Sequence, residues 1–264
     1  MSIRVLDLLA GTLESLRYEP TPKRIRVSLD GLPVADTRNA RLVWEPRRVV
    51  PTYAVPVHDF AARLEPSDDG ETRSTSPILD PRTPFTAHTS SGTVFDVVVD
   101  GGRARAAAFR PDDSDLTDYA LLDFAAFDWL EEDEPIVAHP HDPFHRIDIL
   151  RSGRGVTVEL GGRRLAESSR PLLLFETMLP VRFYLPREDV VAELEPSDTV
   201  TFCAYKGRAS YFSLPGGPHD IAWTYHEPLR EAEPVRDLIC FFDERLDVVV
   251  DGELRDRPVT QWSD

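Results

Sequence analysis

Five consecutive residues, Cys203-Ala204-Tyr205-Lys206-Gly207, put a thiol, a phenol and an amine side by side. A lysine desolvated beside a carboxylate can bind an anion, form a Schiff base or serve as an acid/base. A thiol next to a cation gains nucleophilicity as its thiolate fraction rises. Glu176, from an earlier strand, is the natural carboxylate, so the candidate catalytic set is Lys206, Glu176, Cys203 and Tyr205. Asp189 also arrives from an earlier element and is assigned to ligand binding. Tyr184, Tyr211, Trp223 and Tyr225 join it, because an apolar body with a polar tip suits the wall of a small-ligand pocket. Trp223 and Tyr225 stand two apart and share one face of a strand. Plainer readings exist for both groups. Glu176 and Lys206 can be an ion pair pinning two strands, with Cys203 merely buried, and the aromatic residues can be core. Lys206 stands out further because the chain has lysine only at 23 and 206, every other cation being arginine.

Other constellations carry less. His139, His141 and His145, with Asp142, have the right atoms for zinc or iron. They fall in a proline-rich stretch without a second cluster, and the chain has no Cys-x-x-Cys pair. No metal and no cofactor is therefore assigned, and His145 is the one histidine retained as of interest. There is no nucleophile elbow for a Ser-His-Asp hydrolase and no glycine-rich phosphate loop.

The elements that must hold these residues come in two copies. Arg26–Glu45 matches Thr157–Glu176 without a gap, with Val27, Leu29, Gly31, Ala35 and Glu45 identical to Val158, Leu160, Gly162, Ala166 and Glu176. After one dropped residue, Pro56, Asp59, Leu64, Glu65, Pro66 and Ser67 recur as Pro186, Asp189, Leu194, Glu195, Pro196 and Ser197. So many ordered matches signify duplication. Alternating apolar residues at 25–29 and 156–160, each followed by Asp-Gly or Gly-Gly, predict tight hairpins. Further strands are expected at 171–176, 182–185, 199–203, 209–214, 220–225 and 246–250, with Pro234 opening a short helix to about Phe241.

The fold class expected is mainly β, as two tandem homologous small β-sheet domains with few short helices, at 1–138 and 139–254, and a tail over 255–264. After Ser67 the copies diverge: the first runs through a Ser/Thr/Pro-rich loop, with His88-Thr-Ser-Ser-Gly92 where the second has its Cys-x-Tyr-Lys-Gly. The first copy thus has no equivalent of Lys206, leaves Glu45 without an evident cation, and reads as a degenerate partner.

Composition narrows the partners. A net charge of −16 over 264 residues argues against nucleic acid and against an anionic membrane surface, both of which call for clustered Lys and Arg. No apolar run is long enough to span a bilayer, the start lacks signal-peptide features, and two cysteines permit one disulfide at most. A cytoplasmic protein with a small-molecule ligand is the expectation; the oligomeric state is left open.

The Cys-x-Tyr-Lys-Gly segment, Glu176, Tyr184-Leu-Pro186, Asp189, the Trp223-Thr-Tyr225 pair and the closing Cys240-Phe241 together resemble the bacterial family known only as domain of unknown function 427. The sequence departs from that pattern at Ala204, where proline is usual, and at Cys240, where alanine is usual. The resemblance implies a small, mostly β fold, for which the Mss4-type sheet is one form, and implies no established activity. An old label of the family points to nucleotidyl transfer, but no Gly-Ser turn followed by paired aspartates is present to support it.

Two functions follow. In the first, copy two holds a pocket for a small anionic or carbonyl-bearing metabolite, centred on Lys206 and Glu176. In the second, the repeated strands form a non-catalytic binding or assembly module in which the motif is structural. A redox role for Cys203 is a third possibility.

Overall fold

The computed structural model describes residues 2–69, 75–260 and 262–263. The chain divides into two compact units, Met1–Asp142 and Pro143–Asp264. A short helix, α1 (Val5–Ala10), precedes the strands of unit 1. These are β1 (Arg17–Pro20), β2 (Ile25–Leu29), β3 (Leu32–Thr37), β4 (Arg41–Trp44), β5 (Thr52–Pro56), β6 (Arg63–Pro66), β7 (Gly92–Val99), β8 (Gly102–Pro111), β9 (Tyr119–Leu122), β10 (Asp128–Glu131) and β11 (Glu134–Pro135). Unit 2 contains β12 (Ile147–Arg151), β13 (Val156–Leu160), β14 (Arg163–Ser168), β15 (Leu172–Glu176), β16 (Arg182–Leu185), β17 (Glu195–Cys203), β18 (Gly207–Ser213), β19 (Ala222–Thr224), β20 (Ile239–Phe241), β21 (Asp247–Val250) and β22 (Glu253–Leu254). The remaining helical pieces are short 3-10 turns. No helix is long and apolar enough to cross a membrane.

Each unit folds its strands in the same order. Unit 1 forms a seven-stranded sheet β1-β4-β5-β9-β8-β7-β6 and a four-stranded sheet β11-β10-β2-β3. Unit 2 forms β12-β15-β16-β20-β19-β18-β17 and β22-β21-β13-β14. All of these pairings are antiparallel. The likeness reaches single residues. The hairpins β2–β3 and β13–β14 shift register at the same place, after Val27 and after Val158. Their turns put Asp30-Gly31 and Gly161-Gly162 at positive φ, as a tight hairpin requires.

Period-two alternation explains the layers. In unit 2, Leu173, Phe183, Leu185, Phe212, Ala222, Ile239 and Phe241 point toward the small sheet and join Val156, Val158, Val248 and Val250 in one core. Their alternates, Leu174, Tyr184, Ala209, Trp223 and Cys240, face the other way. There they are covered by Ala232 and Val235 of a 3-10 helix (Arg230–Val235), by Tyr225 and Phe242, and by Trp262 of the tail. This outer face holds the candidate residues.

One expectation is corrected. Pro234 does not open a helix to Phe241; it lies inside the 3-10 turn, which ends at Val235. Residues 239–241 are strand β20, pairing β16 and β19 at the centre of the sheet. Ile239 and Phe241 point to one core and Cys240 to the other, and a strand puts residues on both faces where a helix would not. Of the loop expected after Ser67, residues 70–74 lie outside the described residues. Its latter part anchors Leu79 beside Arg47 and Arg48 and buries His88.

Gly92 opens β7 at a close approach. A Cβ there would clash with the Arg110 carbonyl oxygen and the Phe109 ring. Gly92→Ala is expected to cost about 1–3 kcal/mol through overpacking. A thermal melt of the whole chain checks this, and an unchanged transition would contradict the close approach.

Candidate functional site

The site starts with Glu176, the last residue of β15. Its strand parity places it on the outer face with Leu172 and Leu174. The turn between β17 and β18 then delivers Lys206. Cys203 pairs across that turn with Gly207, whose φ of +86° is costly for any side chain. The reversal directs the Lys206 Nζ onto Glu176 Oε2 at 2.6 Å. His145, from the segment leading into β12, brings its Nε2 to Glu176 Oε1 at 3.1 Å. Tyr205 stacks on the His145 ring with centroids 4.5 Å apart. The result is an ordered chain: imidazole, carboxylate, ammonium.

Its electrostatics are well defined. Burial alone pushes the Glu176 carboxyl up, but the Lys206 ammonium and His145 more than offset it and hold it at about 2. Burial likewise pulls Lys206 down, and Cys203 and Glu176 outweigh it, so the amine is raised above its ordinary value. Lys206 is therefore a firmly held ammonium. Exposure is lowest at the carboxylate: the His145 side chain is 24% exposed, Glu176 7% and Lys206 10%. Cys203 is half-buried.

Beside this chain stand the four aromatic candidates. The Trp223 indole N–H donates to the Tyr184 hydroxyl at 3.2 Å, and Tyr225 and Tyr211 join the same outer-face cluster. Burial raises the phenols of Tyr184 and Tyr225 well above their ordinary value, so both remain neutral hydroxyls. Tyr211 shares a hydrogen bond with Thr201 at 2.9 Å. The structure thus brings Lys206, Glu176, Cys203, Tyr205, Tyr184, Tyr211, Trp223 and Tyr225 to one face. Asp189 is placed apart from them: it accepts from Ser168 at 2.6 Å and from Arg170 at 3.2 Å. Its repeat partner Asp59 accepts from Thr37 at the same 2.6 Å, so this aspartate ties the hairpin to the following 3-10 turn in both units.

Unit 1 corrects the reading of Glu45 as a carboxylate without a cation. Glu45 Oε2 meets the Nδ1 of His88 at 3.0 Å and the Nε of Arg48 at 3.6 Å. Its Oε1 accepts from Ser90 Oγ at 2.8 Å and from the Thr89 amide at 3.0 Å. Burial pushes Glu45 up, yet His88 leads the groups that bring it below its ordinary value. The physical reason is topological. The connection from β6 to β7 corresponds to the β17–β18 turn, and it delivers His88 where the turn delivers Lys206. The equivalence was hidden because the connection is far longer.

Some residues had no reading from sequence. Arg182 is buried on β16, bonded to Asp243 and to Glu244, the latter at 2.6 and 2.9 Å. Its guanidinium lies 5.5 Å from both Trp223 and Trp262. Glu244 stays ionised, while burial beside that charge lifts Asp243 to about 6. An arginine inside an apolar strand was the available signal. In unit 1, Glu131 gathers Lys23, Tyr53 and His141. Both lysines of the chain therefore bond a buried glutamate. The three linker histidines disperse, His139 bonding the Pro140 carbonyl, and among the described residues no group of three or more potential metal ligands assembles.

Removing the Glu176 charge strands the Lys206 ammonium. Glu176→Gln should cost about 3 kcal/mol at neutral pH, seen as a melting point several degrees lower. Because the folded carboxyl is depressed from 4.5 to about 2, its contribution is complete above the ordinary value. It disappears as pH falls toward 2. The gap between wild type and variant should close over that window, and a gap independent of pH would contradict the ionised pair.

No curated protein matches the chain. Residues 148–252 match the family model described as Domain of unknown function (DUF427), and that span runs from β12 to β21, taking in Glu176, Lys206, Cys203 and all four aromatic residues. Over residues 148–252, the second unit is thus similar to the DUF427 family.

Proposed function

We propose that unit 2 binds a small metabolite, anionic or carbonyl-bearing, on the outer face of its seven-stranded sheet, with Lys206, Glu176, Cys203 and Tyr205 serving its chemistry. One observation carries this reading. By ladder register, Tyr184, Tyr211, Trp223 and Cys240 of unit 2 correspond to Ala54, Val94, Phe109 and Leu121 of unit 1. The same sheet is thus built once with plain apolar residues and once with hydroxyls, an indole N–H and a thiol. The fold is built without those polar groups in unit 1; in unit 2 Trp223 bonds Tyr184 and Tyr211 bonds Thr201, which offsets the cost of burying them. A ligand-binding face gives them a purpose.

The direction of the Lys206 titration favours some chemistries over others. A Schiff-base or general-base lysine needs its amine neutral near physiological pH. Here the amine is held as an ammonium, which suits charge stabilisation and the attraction of an anion. Both cysteines are free, which fits the reducing setting of a cytoplasmic protein. An assembly role is the second reading. The exposed Phe175, Val191 and Phe202 of unit 2 favour it.

The test separates site from scaffold by removing both charges together. Replacing a buried pair with apolar residues is often neutral or stabilising, and sites tend to sacrifice stability. The double variant Glu176→Leu/Lys206→Met is expected to keep or raise the melting temperature. It should also abolish the binding of small carboxylates, screened by NMR on the wild type at about millimolar affinity or tighter. A melting point lower by more than about 5 °C would make the pair scaffold and end this proposal.

A further inference from the structure

We infer that the segment following β22 is a displaceable strap over the outer face of unit 2, and that its Trp262 stands where a flat aromatic ring of the metabolite binds. The inference rests on reading that face as a small-molecule site, and adds how the site is covered and which ligands can uncover it. The polar groups that a ligand must reach are shut away, since Tyr184, Trp223 and Tyr225 are all buried. A cover therefore has to move before a metabolite can touch them. Two elements outside the sheet provide cover. One is the 3-10 helix Arg230–Val235, whose Ala232 and Val235 are themselves buried and which links two neighbouring strands of the sheet, β19 and β20. The other is Trp262, partly buried against the same cluster.

The indole of Trp262 lies 5.5 Å from the Arg182 guanidinium, and Trp223 lies at the same distance from that group. Another flat aromatic ring can make the same contact with a cation. The hydrogen-bonded tie to the rest of unit 2 is at Thr260, whose Oγ1 donates to Glu244 Oε1 at 2.6 Å. The Thr260 and Trp262 amides and the Ser263 hydroxyl bond within the segment itself, and Val259 is exposed. Unit 1 is arranged differently. After its equivalent strand β11, Ile136 packs on the inner core. Its outer face takes Phe85 from the β6–β7 connection, and the buried Arg48 donates to the carbonyls of Pro84, Phe85 and Ala87 in that connection. The apolar face is thus sealed by a buried clamp and the polar face by a surface tether. Elements that open for ligands are drawn from the weakly held parts of a fold.

Indole-3-acetate tests the claim, because it carries the ring of Trp262 on a small carboxylate. Its affinity is measured by titration calorimetry on the whole chain and on full-length Trp262→Ala, Trp262→Phe and Thr260→Val. Trp262→Ala is expected to bind about tenfold more tightly, the gain for a strap that is open about a tenth of the time. Thr260→Val, which cuts the tie and keeps the ring, should gain affinity to a smaller extent, and Trp262→Phe should stay near the wild type. Hydrogen exchange on the wild type gives a second readout. Saturating indole-3-acetate should speed exchange at the Thr260 and Trp262 amides by displacing the segment. Equal affinity in wild type and Trp262→Ala overturns the strap, and so does exchange at those amides that slows or stays constant on binding. If Trp262→Ala does not fold, the exchange result decides alone. Failure of the underlying site reading is seen separately, as binding of indole-3-acetate to none of the chains, whereas a strap that fails alone leaves binding intact and equal.

Discussion

A carboxylate that leaves water must be answered by a positive charge or by hydrogen-bond donors, or it will take up a proton. Both units of this chain place such a carboxylate at the end of the equivalent strand, Glu45 directly after β4 in one and Glu176 as the last residue of β15 in the other. Much of the asymmetry between the units can be read as two answers to that one demand. Unit 1 answers with a guanidinium three residues on and an imidazole brought by a long loop, and it saturates the second oxygen with Thr89 and Ser90. Unit 2 answers with an ammonium from a tight turn and an imidazole from the entering segment. The first answer is closed: His88 is stacked 3.7 Å from Phe109 and has no exposed side-chain surface. The second is open at its imidazole end, through the partly exposed His145.

That difference separates stability from chemistry. If neutralising the strand-end carboxylate were the whole purpose, the closed arrangement would suffice in both halves. Unit 2 instead carries a lysine whose burial is expensive, beside a sheet face with tyrosines where unit 1 has alanine and valine. Buried ion pairs are weak contributors to stability compared with apolar residues of similar volume. The proposed small-molecule site would give these charges a use beyond stability. A firmly protonated lysine cannot attack a carbonyl, but it is a fixed positive charge in a poorly hydrated place, where charge acts more strongly than in water.

Much of the architecture was legible in the sequence because its signals are local. Alternation at 25–29 and 156–160, with Asp30-Gly31 and Gly161-Gly162 behind them, specifies the hairpins. The duplication then transfers every element from one half to the other. Lys206, Cys203, Tyr205 and Glu176 were legible as a group because a compact motif and a repeat-matched glutamate could be named together. What escaped depends on long-range closure. His88 reaches Glu45 only after a loop of irregular backbone folds back, and no spacing rule specifies where such a loop ends. Arg182 meets Asp243, Glu244 and Trp262 through three separate returns of the chain. Asp189 illustrates the opposite error. It was prominent because it recurs as Asp59, but a residue that recurs with the same 2.6 Å bond to a hydroxyl in both halves is doing a job the fold itself requires.

The same reasoning ranks the remaining polar clusters. Glu131 with Lys23, Tyr53 and His141 is held at about 2, much as Glu176 is, and by the same means: burial opposed by donors and a cation. Yet its parts are drawn from β5, β10 and the segments before β2 and after β11. It gathers those elements around one point, which is what a tie between the ends of a unit must do. The Glu176 cluster joins fewer elements. Both clusters leave groups at the surface, Lys23 and His141 in one and His145 in the other. What sets the second apart is its place on a sheet face that carries tyrosines and an indole where unit 1 has apolar residues, and the functional proposal for unit 2 rests on that difference.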